Sequence, residues 1–345
     1  MTEHDVRAAL AAFDLKNMLD GVHVADGLVQ VTLSIRREDA GALEPLRREI
    51  EAKLAALPGV KNAAVVFTAH KPAPAPAPAA PAVLPGVKSV IAVASGKGGV
   101  GKSTVAVNLA VALAQNGLKT GLMDADVHGP SLPRMLGLKA KPEVRDGQML
   151  PLHAWGLACM SIGFLVEEET AMVWRGPMVM GAINQLLTQV AWGELDVLVI
   201  DMPPGTGDTQ LTIAQKANLA GAIIVSTPQD IALIDARRGI KMFEQVNVPV
   251  LGIIENMSYF ACPHCGEHSN IFGHGGAAAQ AQRTHAPFLG EIPLQIAIRE
   301  TSDAGTPITA AAPMGEAALA FHAIAAKIID RLAQPTRAAP RILIE

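Results

Sequence analysis

Residues 95–104 read Ser-Gly-Lys-Gly-Gly-Val-Gly-Lys-Ser-Thr, a glycine-rich segment that indicates the fold of the larger part of the chain. It satisfies the phosphate-loop pattern Gly-x4-Gly-Lys-[Ser/Thr]. A short apolar run, residues 87–94, precedes it, and a segment rich in Ala and Leu, residues 105–115, follows it. Because this context is strand, loop and helix, we expect backbone amides of the loop to surround phosphate oxygens at a helix N-terminus. Nucleotide hydrolysis is therefore the first hypothesis.

The whole loop is predicted to contact the nucleotide. Its glycines permit backbone conformations that side chains would forbid. We expect Lys102 to reach the β- and γ-phosphates and the Ser103 hydroxyl to bind Mg²⁺. The predicted nucleotide-binding residues of the loop are Gly96, Lys97, Gly98, Gly99, Val100, Gly101, Lys102, Ser103 and Thr104.

Hydrolysis also needs carboxylates beside the phosphates, and two apolar segments end in candidates. Residues 195–200 lead into Asp201, which starts Asp-Met-Pro-Pro-Gly-Thr-Gly-Asp, and residues 122–123 lead into Asp124-Ala-Asp126. We expect Asp201 to bind Mg²⁺ and Asp126 to orient the attacking water, although either could instead cap a following helix. Ser103, Asp124 and Asp201 form the predicted magnesium site. The predicted catalytic residues are Lys97, Lys102, Asp126 and Asp201.

The composition argues against several classes of protein. A formal net charge of −4 over 345 residues leaves no electrostatic footprint for nonspecific nucleic-acid binding. The N-terminus lacks the basic and apolar regions of a signal peptide, and no apolar run approaches the roughly 20 residues of a membrane span. Three cysteines do not form a secreted disulfide framework. We therefore expect a cytoplasmic protein with neither nucleic acid nor membrane as a partner.

A Pro- and Ala-rich stretch, residues 71–82, divides the chain. Before it, the order α-β-β-α-β predicts a small α+β domain. After it, apolar segments alternate with helical ones, which predicts an α/β domain with a doubly wound, mostly parallel sheet and a ligand at the carboxyl ends of the strands. The predicted strands are 89–94, 119–123, 156–162, 195–200, 221–226, 249–254 and 286–290. The predicted domains are 1–69 (α+β), 70–86 (linker), 87–335 (P-loop NTPase) and 336–345 (C-terminal tail).

The second lysine of the loop, Lys97, resembles the deviant Walker A signature of the MinD, ParA and nitrogenase iron protein superfamily. That resemblance implies a homodimer in which Lys97 reaches the partner's nucleotide. The first domain resembles the MIP18-type domain, a family that usually carries a cysteine near the start of its second helix. Residues 1–69 contain no cysteine, so docking or folding support is the expected role of this domain.

Cysteine occurs as a close pair in Cys262-Pro-His-Cys265-Gly. With one or two of His264, His268 and His274, this pair could form a zinc site within one chain, and the spacing alone favours that interpretation. A redox dithiol is a further alternative. Two thiolates cannot supply the four ligands of a [4Fe-4S] cluster, but a twofold dimer would bring two such pairs together.

Five motifs in order resemble the Mrp/ApbC family of iron-sulfur cluster carrier ATPases over about residues 87–330. They are Gly-Lys-Gly-Gly-Val-Gly-Lys-Ser, Asp-Ala-Asp-x-x-Gly-Pro-Ser, Asp-Met-Pro-Pro-Gly-Thr-Gly-Asp, Glu-Asn-Met-Ser and Cys-Pro-x-Cys-Gly. The resemblance implies that Cys262 and Cys265 bind a [4Fe-4S] cluster shared by two subunits. It also implies that Asn256 meets the adenine edge and that Pro293 borders the adenine ring. ATP is preferred because the guanine-reading pattern Asn-Lys-x-Asp does not occur.

These observations predict an ATP-dependent carrier that passes its cluster to recipient apo iron-sulfur proteins and meets cluster assembly factors. One alternative is a partitioning or positioning ATPase of the ParA/MinD kind with a zinc or structural Cys-x-x-Cys. Such proteins normally need a basic or amphipathic surface. Another alternative is a reductase component that passes electrons from a bridging cluster, which would favour widely separated cysteines over a close pair.

Overall fold

A computed structural model describes residues 3–334 of the chain, apart from residues 11, 14, 16–17, 26, 36–38, 40, 69–83, 128 and 166–175. The chain separates into two compact units, Met1–Ala79 and Ala80–Glu345. Most of the predicted linker and all of the predicted tail, residues 336–345, lie outside the described residues.

The first unit is a three-stranded sheet covered by two helices. Its elements are α1 (Glu3–Leu10), β1 (Leu19–Ala25), β2 (Leu28–Ser34), α2 (Glu44–Ala55) and β3 (Asn62–Thr68). Strand β2 lies in the middle, antiparallel to β1 and parallel to β3. Alternate residues of β2, including Val31 and Leu33, are buried with Ile50 and Leu54 of α2. The predicted α+β domain and its element order are confirmed.

The second unit is built on a nine-stranded, mostly parallel sheet, as predicted. The strands of this unit are β4 (Val87–Ala94), β5 (Thr120–Asp124), β6 (Val144–Arg145), β7 (Gln148–Met149), β8 (Leu152–Ala154), β9 (Leu157–Ser161), β10 (Leu195–Asp201), β11 (Gly221–Ser226), β12 (Val250–Ala261), β13 (His268–Ser269) and β14 (Phe288–Leu294). The strand order is β13-β12-β11-β4-β10-β5-β9-β8, with β14 also paired to β12 and with β6 and β7 forming a separate hairpin.

Helices connect and cover these strands. They are α3 (Lys102–Gln115), α4 (Leu132–Leu136), α5 (Gly176–Thr188), α6 (Asp208–Lys216), α7 (Asp230–Gln245), α8 (Gly276–Arg283), α9 (Ile296–Asp303), α10 (Ile308–Ala311) and α11 (Glu316–Ala333). The run from Val105 to Leu113 of α3 is buried on every side, which accounts for its lack of a polar face. Within the described part of the chain, no helix is both long and apolar enough to cross a bilayer.

The central strands bring the predicted carboxylates together. Strand β10 lies between β4 and β5, and all three run parallel, so their carboxyl ends meet at one edge of the sheet. In this register Asp201 is the direct neighbour of Asp124, and the phosphate loop leaves β4 next to them. The fold therefore places the loop and both acids at the same edge.

Two strands extend beyond their predicted limits. Strand β12 continues through the polar sequence Glu255-Asn-Met-Ser to Ala261, because β14 and β13 supply pairing partners there. Strand β14 includes Pro293, a residue that cannot donate to a ladder and is therefore found at sheet edges. Neither extension could be read from apolar periodicity, since long-range pairing creates both.

Candidate functional site

The phosphate loop is fixed by two close contacts of its glycines. Gly101 has a left-handed backbone (φ 80°) where α3 begins, and an added Cβ would lie 2.2 Å from Nδ2 of Asn256. An added Cβ on Gly96 would lie 2.2 Å from the backbone of Asp235 in α7. Only glycine fits at either position without displacing a neighbour. The loop is therefore packed directly against β12 on one side and α7 on the other.

Lys102 is buried among the predicted catalytic groups, with 6% of its side chain exposed. Its ammonium forms an ion pair with Oδ1 of Asp201, donates a 3.2 Å hydrogen bond to the Ser103 hydroxyl and lies 3.9 Å from Oδ2 of Asp126. The other oxygen of Asp201 is buried and has no hydrogen-bond partner among the described residues. A buried, unpartnered carboxylate oxygen beside a hydroxyl fits the hard oxygen ligands that Mg²⁺ prefers.

Asp124 organises the loop that follows β5. Its Oδ1 accepts a 3.0 Å hydrogen bond from the Asp126 amide, and its Oδ2 accepts one from the Ser161 hydroxyl at 3.0 Å and one from the Leu132 amide at 3.4 Å. Complete burial and the charge of Asp201 raise the pKa of Asp124 to about 7. Burial also raises the pKa of Asp201, against the opposing effect of Lys102. A cation bound beside these two adjacent buried acids would therefore stabilise their ionised forms.

A cavity of about 590 Å³ opens beside the loop. It is lined by four of the predicted nucleotide-binding residues, Gly101, Thr104, Asn256 and Pro293, which the chain brings together from three separate segments. Further lining residues were not assigned to the nucleotide site from the sequence; Ser131 and Met257 lie within quoted motifs, and the others carry no motif signal. The additional polar and sulfur-containing residues are Ser131, Arg134, Met135, Met257, Gln295, Arg299, Ser302 and Asp303.

Lys97 differs from Lys102 in its surroundings. Within the described residues, its ammonium makes neither a hydrogen bond nor an ion pair, and only its backbone carbonyl is used, by the Ser95 hydroxyl at 2.9 Å. The nearby helix α7 exposes two isoleucines, Ile231 (68% exposed) and Ile234 (41% exposed). The same helix contributes Asp235, which contacts Gly96. The helix that packs against the loop at Gly96 therefore carries exposed apolar side chains.

The cysteine pair sits on a tight hairpin at the end of β12. The Cys262 amide donates to the Glu267 carbonyl at 2.9 Å, and the Gly266 amide donates back to the Cys262 carbonyl at 2.8 Å. Cys262 is half-buried and Cys265 is exposed. Backbone amides of His264 and Cys265, together with the Cys265 thiol, lower the pKa of Cys262. Amides directed at sulfur favour the thiolate, which is the metal-binding form.

Two of the three histidines considered as zinc ligands, His268 and His274, contact other side chains. His268 stacks on Tyr259, with ring centroids 4.4 Å apart, and His274 lies between Glu255 and Glu291. Glu255, His274 and Glu291 form the only group of three potential metal ligands with neighbouring donor atoms in the described part of the chain. In the described part of the chain, no histidine forms such a group with Cys262 and Cys265. The third cysteine, Cys159, is fully buried in β9 and belongs to the hydrophobic core.

Comparison with known proteins identifies the larger unit. Residues 86–329 match the family model described as NUBPL iron-transfer P-loop NTPase. The chain belongs to this family. Residues 15–65 match a second model, described as iron-sulfur cluster assembly protein, and this match agrees with the MIP18-type resemblance. This member of the NUBPL family thus contains a P-loop NTPase domain of a family described by iron transfer.

Individual relatives agree with this assignment. The chain is 55% identical over 250 residues to the mouse iron-sulfur cluster transfer protein NUBPL, covering 72% of this chain and 78% of the mouse protein. It is 46% identical over 322 residues to an iron-sulfur cluster carrier protein of Synechocystis, covering 92% and 91% of the two chains. A nucleotide-binding protein of Archaeoglobus fulgidus, solved with ADP, matches with a TM-score of 0.58 and 45% identity over 64% of this chain and 88% of that one.

Proposed function

We propose that this NUBPL-family chain is an ATPase that binds a [4Fe-4S] cluster between two copies of itself and transfers it to apoproteins. The observation that carries the proposal is the cysteine hairpin. Its two sulfurs are accessible, backbone amides favour the thiolate of Cys262, and the described histidines do not complete a metal site with them. A cluster needs four cysteine ligands, so a second copy of the hairpin would supply the missing pair.

The surface around Lys97 supports a homodimer. The Lys97 ammonium has no ion-pair partner among the described residues and would be available to a phosphate on a second chain. The exposed Ile231 and Ile234 offer apolar area on α7, the helix that packs against Gly96, and burial of such area drives association. Lys97 would then act on the nucleotide of the partner subunit while Lys102 acts on its own.

The buried polar groups support hydrolysis of ATP with Mg²⁺. Ser103, Asp201 and the adjacent Asp124 would hold the metal, which supplies charge compensation for the phosphates when bound. Asp201 keeps the Lys102 ammonium within the site, and Asp126 lies within 3.9 Å of that ammonium. The Asp126 carboxylate would orient water near the phosphate that Lys102 would contact. Asn256 and Pro293 would contact the base in the cavity.

Anaerobic reconstitution tests the cluster. The parent chain is expected to take up about four iron and about four sulfide per two chains. The double variant Cys262→Ser/Cys265→Ser should take up neither, whereas Cys159→Ser serves as the matched control because Cys159 is fully buried. A parent chain that stays monomeric with MgATP and binds zinc in each subunit would refute the proposal.

Cluster transfer is tested with the reconstituted dimer. Mixing it with an apo iron-sulfur protein should move iron and sulfide to the acceptor, and the acceptor should gain its holoprotein absorbance. ATP hydrolysis is measured on the same samples as phosphate release. If the acceptor is reduced without gaining iron, the chain passes electrons instead, and the carrier function is wrong.

A further inference from the structure

One carboxylate contacts both the nucleotide cavity and the strand that carries the cysteines. Oε2 of Glu316, the first residue of α11, accepts a 2.7 Å hydrogen bond from Nε2 of Gln295, a residue that lines the cavity. Oε1 of Glu316 accepts a 2.7 Å hydrogen bond from the hydroxyl of Tyr259, which lies in β12 three residues before Cys262. Both oxygens of one side chain are thus occupied by donors from two different functional regions.

A further contact links Tyr259 to the cysteine hairpin through His268. Burial and the neighbouring Glu316 carboxylate raise the pKa of Tyr259, so its hydroxyl stays protonated and donates. The Tyr259 ring stacks on the imidazole of His268 with an interplanar angle of 23°. His268 pairs with Ala261 across β12 and β13, next to the bond between the Cys262 amide and the Glu267 carbonyl. A shift of Tyr259 would therefore move both strands of the hairpin.

Strand β12 contains a strained segment between the two regions. Met257 has a left-handed backbone with φ of 56°, which is uncommon for a residue other than glycine, asparagine or aspartate. The pairing of β12 with β14 changes register between Asn256 and Phe260, and the Met257 side chain lines the cavity. Strained backbone of this kind persists only while its surroundings hold it. The segment is thus a place where filling of the cavity can change the course of the strand.

We propose that Glu316 is a positioning residue that couples occupancy of the nucleotide cavity to the conformation of the Cys262/Cys265 hairpin, through Gln295 on one side and Tyr259 on the other. This coupling rests on the proposed function, because it assigns the cavity to nucleotide and the hairpin to the cluster. Coupling between two sites is reciprocal for binding. A ligand on the cysteines must therefore change nucleotide affinity by the same factor by which nucleotide changes the affinity for that ligand.

The test uses thiol alkylation, which needs no cluster. The apo full-length chain is treated with iodoacetamide, with and without saturating MgATPγS, and the modification of Cys262 and Cys265 is followed by mass spectrometry. In the parent chain the nucleotide is expected to change the alkylation rate by at least about fivefold, the lower end of typical couplings between sites. In Tyr259→Phe, which removes the donor to Glu316, and in Glu316→Gln, which leaves one acceptor oxygen for the two donors, that ratio should fall close to one.

Nucleotide affinity separates coupling from damage to the cavity. Glu316 does not line the cavity, so both variants should bind MgATPγS with a dissociation constant within about threefold of the parent value in calorimetry. A threefold change corresponds to less than about one kcal/mol of binding free energy. The control Asp330→Asn removes a carboxylate from the same helix, at an exposed position, and should keep the parental ratio.

The outcomes are distinct. Variants that bind nucleotide and keep the parental alkylation ratio overturn the role of Glu316, as does a parent chain whose alkylation is unchanged by bound nucleotide. A parent chain that does not bind MgATPγS instead overturns the proposed function itself.

Discussion

The side-chain amide of Asn256 donates a 2.8 Å hydrogen bond to the carbonyl oxygen of Val100, which joins β12 to the phosphate loop. Cys262 follows six residues later, directly after the end of β12, so one continuous stretch of chain joins the partner of the loop to the cysteine hairpin. Any movement of the loop that breaks this bond frees the start of that stretch.

Gly101→Ala tests the contact from the loop side. The new Cβ would lie 2.2 Å from Nδ2 of Asn256, and the residue would have to keep φ at 80°. We expect the free energy of unfolding of the nucleotide-free protein to fall by at least about 1 kcal/mol, because a left-handed backbone alone costs that much for alanine. Urea unfolding measures the change. Gly98→Ala lies in the same loop with no neighbour within 4 Å and should leave stability almost unchanged. Equal stability of both variants would contradict the packing described.

Asp126→Asn tests the water-orienting role. The variant keeps the ion pair between Lys102 and Asp201, so nucleotide affinity should remain close to that of the parent. Hydrolysis should slow by roughly 10²- to 10⁴-fold, the usual contribution of a positioned acid or base. Phosphate release under single-turnover conditions measures the rate. The control is Asp196→Asn near the opposite end of β10, where Asp196 pairs with Lys88 at the surface. If Asp126→Asn hydrolysed ATP as fast as the parent, another residue would have to orient the attacking water.

The pH dependence of stability tests the buried pair of acids. Burial raises the pKa of Asp124 from 3.8 to about 7, so between these values the folded state binds more protons than the unfolded state. This group therefore makes the nucleotide-free protein less stable as pH rises through that window, by up to about 1.4 kcal/mol per pH unit. In Asp124→Asn this contribution disappears. Urea unfolding is measured for both proteins between about pH 5 and about pH 8. As pH rises, the free energy of unfolding of Asp124→Asn should increase relative to that of the parent. A constant difference would mean that Asp124 titrates normally.

Thiol reactivity tests the environment of the cysteines. The backbone amides of His264 and Cys265 lower the pKa of Cys262, whereas burial raises that of Cys159 to about 12. Alkylation of Cys262 should therefore reach half of its maximal rate at a lower pH than alkylation of a free cysteine, because the thiolate is the reactive form. Cys159 should stay unmodified in the folded protein and react only after unfolding. Peptide mapping by mass spectrometry follows each cysteine separately. If the alkylation rate of Cys262 depended on pH as that of free cysteine does, the backbone amides would not stabilise its thiolate.

The sequence predicts the parts of this fold that depend on local pattern. The phosphate loop follows a fixed spacing of glycine and lysine, and Asp124 and Asp201 end apolar strands, so their meeting at one edge of a parallel sheet could be expected. The cysteine pair and the five motifs indicate the family for the same reason, since each motif is contiguous in the chain.

The remainder depends on contacts between distant segments. The close approach of Gly96 to Asp235 joins residues that are far apart in sequence, and no local pattern marks either partner. The left-handed backbone of Met257 lies within Glu255-Asn-Met-Ser, where propensity gives no sign of it. Gln295, Tyr259 and Glu316 read as ordinary surface residues until the fold brings them together.

The hairpin tip, with Cys265 exposed and Cys262 half-buried, restricts the order of events during delivery. On the proposed function, a cluster would be held by the cysteines of two such tips. The protein that loads it and the protein that receives it would both have to reach these cysteines, so the two would compete for one place. Loading and delivery would then have to alternate, and an excess of either protein would slow both steps.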